Sequence, residues 1–119
     1  MRKRFLALST ACLCLLAAAA EARSPYDGQW DLTFVTQSGD CSPVYNYSVN
    51  IDNGAITSPV AQTFRGNVTN AGAVRASVAV QEKRASGSGK LTGVVGRGTW
   101  TGYSGDQRCA GVWKAQRAW

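Results

Sequence analysis

From residue 28 onward, apolar side chains return at every second position, and no stretch sustains the three-and-four spacing of a helix. The alternation is cleanest at Tyr45, Tyr47, Val49 and Ile51, interleaved with Asn46, Ser48 and Asn50. Successive side chains of an extended chain point to opposite faces, so this pattern makes strands with one buried and one wet face. Trp30, Leu32 and Phe34 likewise share a face of a first strand, which Gln37-Ser38-Gly39-Asp40 ends. Asp52-Asn53-Gly54 follows the second strand. Asn-Gly supplies the positive φ angles of a tight hairpin, so Ala55 to Thr57 is predicted to return antiparallel. After a break at Ser58-Pro59, Phe64 to Thr69 reads as a short strand and Asn70-Ala71-Gly72 as a turn. Val74, Ala76, Val78 and Val80 then form the apolar side of another strand, with Glu82-Lys83-Arg84 as the loop beyond it. Gly87, Gly89 and Leu91 share one face of a glycine-rich strand; Gly98, Trp100 and Gly102 line the next; Cys109, Gly111, Trp113 and Ala115 line the last.

About eight short strands at this spacing predict an all-β domain, and the glycine content selects among all-β forms. Of 13 glycines many fall at strand positions, where they weaken a flat sheet but suit a tightly curved one or a backbone that lies under a large ring. Gly-x-Trp occurs three times, at Gly28-Gln29-Trp30, Gly98-Thr99-Trp100 and Gly111-Val112-Trp113. Each ring is expected to fill volume that its small neighbours leave open. The predicted fold is therefore a small antiparallel up-and-down β-barrel of about eight strands, with Trp30, Phe34, Trp100 and Trp113 as core anchors.

The amino-terminal end reads differently. Arg2, Lys3 and Arg4 precede an apolar run from Phe5 to Ala20 and the triplet Ala20-Glu21-Ala22, the layout of a signal peptide cleaved after Ala22. Residues 1–22 are thus expected to be removed, leaving residues 23–119 as one domain, with Arg23 to Asp27 as a short exposed leader. The apolar run is shorter than a spanning helix needs. Cys12 and Cys14 sit in mid-run, the wrong context for lipid attachment, so no stable membrane anchor is expected. Cleavage removes three of 13 basic and one of 7 acidic residues, leaving a net charge of +4, which is mild for a nucleic-acid protein. Only Cys41 and Cys109 survive, and an even pair in an exported chain reads as a disulfide. Closing a loop of about 69 residues restricts the unfolded chain by on the order of 4 kcal/mol.

Two resemblances add to this. Gly28-Gln29-Trp30-Asp31-Leu32 with Trp113-Lys114-Ala115-Gln116-Arg117 resembles the calycin arrangement of lipocalins, avidins and small bacterial barrel inhibitors of metalloproteases. That resemblance implies that Trp30 packs across the barrel floor and that Arg117 covers its ring through a cation–π contact. Ser38-Gly39-Asp40-Cys41, Ala73-Val74-Arg75, Ala85-Ser86-Gly87-Ser88-Gly89, Gly98-Thr99-Trp100 and Cys109-Ala110-Gly111-Val112-Trp113 are similar to short exported bacterial proteins labelled haem utilisation or adhesion.

Haem has little to hold it here. The chain has no His, and its single Met is Met1, so the commonest axial ligands are missing; Tyr26, Tyr45, Tyr47 and Tyr103 read as core or rim tyrosines. Without His, the Ser-His and Cys-His nucleophiles and the usual zinc sites are excluded. Gly102-Tyr103-Ser104-Gly105-Asp106 departs from a nucleophile elbow at its last position and reads as a hairpin loop. Gly87-Ser88-Gly89-Lys90 lacks the first Gly and the final Ser/Thr of a phosphate loop. The carboxylates fall mostly at turns, where Asp stabilises local backbone. No catalytic residue, metal or cofactor is assigned.

The resulting expectation is a periplasmic or secreted, non-enzymatic binding module for a small apolar ligand or a protein partner, monomeric and without nucleic acid. The alternatives are an inhibitor-like or envelope interaction factor acting through its loops, and an accessory factor in haem utilisation or adhesion. Tyr45, Tyr47, a Lys83-Arg84 loop and a Tyr103 to Arg108 loop are the candidate contacts.

Overall fold

Strand alternation carries through the whole domain, and the sheet it makes closes on itself. The computed structural model describes residues 24–61 and 63–118. Eight antiparallel strands follow one another in chain order: β1 (Gly28–Ser38), β2 (Val44–Asp52), β3 (Ala55–Thr57), β4 (Arg65–Val68), β5 (Ala73–Val80), β6 (Lys83–Thr92), β7 (Val95–Ser104) and β8 (Gln107–Ala118). β1 pairs with β2 on one side and β8 on the other, so the described residues form one closed barrel and leave no sheet edge. The signal-peptide expectation, with Cys12 and Cys14, lies outside the described residues.

The hydrophobic interior follows from the period-two positions, and the register decides how it packs. Two of the Gly-x-Trp tripeptides are antiparallel neighbours, Gly98 opposite Trp113 and Trp100 opposite Gly111. Each indole therefore lies over its partner's bare backbone. A Cβ on Gly98 would come within 2.6 Å of Trp113 Nε1, and one on Gly111 within 3.0 Å of Trp100 Nε1. Bulky rings in an eight-stranded barrel need this, because the interior is only just wide enough for side chains. Their polar edges are matched as well: the indole N–H groups of Trp30, Trp100 and Trp113 donate to the carbonyls of Tyr26, Val35 and Ser88 at 3.0, 3.2 and 3.1 Å.

Cys41, in the β1–β2 loop, is bonded to Cys109 on β8, with Cα atoms 6.2 Å apart. A disulfide of this kind is consistent with an oxidising, extracellular compartment. It fastens the loop of residues 39–43 at one end of the barrel, where Thr36 also donates to the Ser42 and Pro43 carbonyls at 2.6 and 2.9 Å.

Four sequence expectations are corrected. Lys83 and Arg84 are not in a loop: they open β6, because Gln81 and Glu82 alone make the turn, with Gln81 at φ 56°. Tyr103 and Arg108 are paired strand residues rather than loop residues, since Gly105 and Asp106 suffice to reverse the chain. The expected leader is built in. Tyr26 packs its ring 6.4 Å from that of Trp30, and the Asp27 carboxylate accepts the backbone N–H groups of Asn53 and Gly54 at 2.9 and 3.3 Å, capping the predicted Asn-Gly turn. Phe64 also falls just outside β4; it ends a turn in which its N–H donates to Ala61 at 2.8 Å, and its ring is buried.

Candidate functional site

The barrel has two unlike ends. At the floor, the turns are short, and Trp30 is only 1% exposed beneath Tyr26 and Arg117. The Arg117 guanidinium carbon sits 5.4 Å from the Trp30 ring centre, and its Nη2 donates to the Asp27 carbonyl and, at 3.4 Å, to that of Pro25. Cation, ring and backbone together seal that end.

At the mouth the interior stays open. β1 brings Phe34 inward, β2 brings Tyr45 and Tyr47, β5 Val78, β6 Ala85 and β7 Trp100; these line a cup of about 190 Å³, with Lys83, Arg84 and Tyr103 on its lip. The rings form a chain across the base. Trp100 and Phe34 meet edge to face at 6.1 Å, Phe34 and Tyr47 at 5.9 Å, and Tyr47 and Phe64 at 5.9 Å with tilted planes. Below them a second void of only about 40 Å³ remains, and Phe34 lines both. The cup stays empty because Ala85, paired with Val78 on one side and Gly102 on the other, presents only small side chains to the rings lining the opposite wall.

Polar chemistry in the cup is sparse and directional. The Tyr45 hydroxyl accepts the Ser42 N–H at 3.2 Å and so ties its ring to the disulfide loop. The Tyr47 hydroxyl has no hydrogen-bond partner among the described residues. Burial, and then the neighbouring Tyr45, push its phenol above the ordinary 10.0, so it enters the cup as a neutral donor. Lys83 and Arg84 add two cations at the rim.

Five of the sequence-predicted contacts, Tyr45, Tyr47, Lys83, Arg84 and Tyr103, thus come together around one cup. Arg108 does not line it; it stands opposite Tyr103 on β8, beside a concavity shared with Arg84 and Cys109. Trp113 and Trp30 lie deeper and line the small void, and Arg117 lies at the floor. Val78 and Ala85, named before only as members of an alternating run or a motif, belong to the cup. Period two places both inward, but only their small volume beside large rings makes the space. Among the described residues no group of His, Cys, Asp and Glu side chains could hold a metal, and no helix is long and apolar enough to cross a membrane. No family model, curated protein or solved structure matches the chain.

Proposed function

We propose that the protein is an exported, non-enzymatic binding module whose barrel mouth receives a small apolar ligand of about one ring. The observation that carries this reading is an aromatic-lined cup of about 190 Å³ at the open end of a barrel sealed at the other. An apolar cavity of about 150 Å³ is enough to bind benzene, whereas drug-sized ligands need roughly 300–1,000 Å³. Ring-sized occupants therefore fit, and a haem macrocycle exceeds the space. Iron ligation by tyrosine also needs a phenolate, which the raised pKa of Tyr47 opposes. An acceptor group on the ligand would meet the Tyr47 hydroxyl, and a carboxylate would meet Lys83 and Arg84.

A second reading has its own support. Val44, Val60, Val80 and Tyr103 are exposed near the same end, which suits a protein partner inserting one large apolar side chain, as an inhibitor-like factor would. The two separate by experiment. Small molecules released on unfolding the purified, processed protein are identified by mass spectrometry, in parallel with an Ala85→Trp variant whose cup is filled. A ring-sized compound present with the first and missing from the second supports ligand binding. Absence from both contradicts it and leaves the partner reading.

A further inference from the structure

The outer wall of the barrel near its floor carries three cations in one line. Lys90 on β6 stands opposite Arg97 on β7, which stands opposite Lys114 on β8, and all three are exposed. Like charges directly opposite on neighbouring strands destabilise a sheet. Among the described residues none of the three takes part in an ion pair or a side-chain hydrogen bond that would offset the pairings. Among the described residues the one carboxylate lining this face is Asp31, in the adjacent row, which accepts from the Ser48 hydroxyl at 3.4 Å. Three cations against one anion leave this wall positive, and an external anion would relieve it.

The same wall ends in an apolar tip. Thr92 pairs with Val95 two positions nearer the end than the Lys90–Arg97 pair, and Gly93 and Val94 make the turn. Val94 and Val95 are 44% and 53% exposed, consecutive apolar side chains at an apex rather than singly scattered ones. A Cβ on Gly93 would meet nothing within 4 Å, so the tip stands clear of the barrel. It is also held in place, because the Arg117 N–H donates to the Val94 carbonyl at 2.9 Å. At roughly 3.3 Å per residue the tip lies about 7 Å beyond the cation row, and neighbouring strands about 4.8 Å apart put all three charges within about 10 Å.

We propose that this end docks reversibly on an anionic lipid bilayer, Val94 and Val95 entering the headgroup layer while Lys90, Arg97 and Lys114 meet lipid phosphates. An apolar tip with a basic collar one step behind it matches the order of layers in a membrane surface. A single-stranded nucleic acid would instead need aromatic platforms, and among the described residues this face has none. The docked orientation leaves the mouth, at the opposite end, facing water.

The test uses vesicle flotation with protein whose mass shows that residues 1–22 are gone. Phosphatidylglycerol mixed with phosphatidylcholine is expected to retain the protein, phosphatidylcholine alone is not, and raising salt releases it. Each cation contributes about five-fold to the binding constant, so the triple variant Lys90→Ser, Arg97→Ser, Lys114→Ser loses about 100-fold. Its thermal midpoint is expected at or above that of the parent, because a repulsive row has been removed. The pair Val94→Ser, Val95→Ser loses about ten-fold. Equal retention on both vesicle types, a folded triple variant that binds like the parent, or binding to a single-stranded oligonucleotide with indifference to phosphatidylglycerol would each overturn the proposal. Salt dependence of the unsubstituted protein decides the matter even if a variant fails to fold.

Discussion

The floor and the mouth of this barrel are made from the same alternating strands, yet one is closed and the other is not. At the floor, Trp30 is buried under Arg117 and Tyr26, its N–H is matched, and the Asn53-Gly54 turn is capped by Asp27. At the mouth, Phe34 and Tyr47 are half-buried, the Tyr47 hydroxyl has no partner among the described residues, and the longer loops, 39–43 and 58–64, are both there. Packing that is complete at one end frees the other to be incomplete. Close packing is thus concentrated at one end of the barrel axis, and the proposed binding would use the other.

That division predicts unequal costs for equal chemistry. Trp30→Ala removes a fully enclosed ring and should destabilise by about 3–5 kcal/mol, whereas Phe34→Ala at the mouth should cost roughly half as much while joining the cup to the small void below it. Chemical denaturation of both variants measures the gap, and equal losses would erase the distinction between the ends. The double variant Cys41→Ser, Cys109→Ser should lose on the order of 4 kcal/mol, with the mouth loop loosening first in hydrogen exchange.

Gly98→Ala sharpens the comparison in the middle of the barrel. The added methyl would collide with the Ser88 carbonyl oxygen and lie 2.6 Å from Trp113 Nε1, so backbone and ring must both give, at a cost of about 3 kcal/mol, the upper end of ordinary overpacking. Gly105→Ala, at a mouth turn where a Cβ has open space, tests only the backbone, since φ there is 59°. It should cost about 1–2 kcal/mol. Thermal unfolding of the two variants compares steric crowding inside the barrel with backbone conformation at an open turn.

The smallest effect expected is electrostatic. Below pH 10 the Tyr47 phenol is neutral whether the chain is folded or unfolded, so it contributes nothing to pH dependence there. As the pH rises past 10.0 the unfolded chain ionises first, the folded phenol resists, and stability falls until its raised pKa is passed. Tyr47→Phe should leave neutral-pH stability nearly unchanged and flatten that alkaline decline, which denaturation series on either side of pH 10 would show.

Much of the framework was legible from residue spacing. Period two places Trp30, Trp100 and Trp113 inward, Asn53-Gly54 marks its hairpin, and two Gly-x-Trp tripeptides on neighbouring strands carry their own register, because each ring needs the other's glycine. Turns without turn residues were not legible. Gln81 adopts a positive φ that Gly or Asn would ordinarily supply, so Lys83 and Arg84 read as loop when they are strand. Tyr26 and Asp27 read as leader because their partners, Trp30 and the Asn53 turn, are chosen by barrel closure and not by local pattern. The cup was half legible: its aromatic walls follow from alternation, but its emptiness depends on Ala85 and Val78 facing those rings across the barrel.

Benzene titration followed by nuclear magnetic resonance tests the division of labour most directly. Saturable shifts are expected at Phe34, Tyr47, Val78, Ala85 and Trp100, with Trp30 and Arg117 unmoved, and they should vanish in Ala85→Trp. Perturbation of the floor instead of the mouth, or no saturable shift at all, would contradict the account.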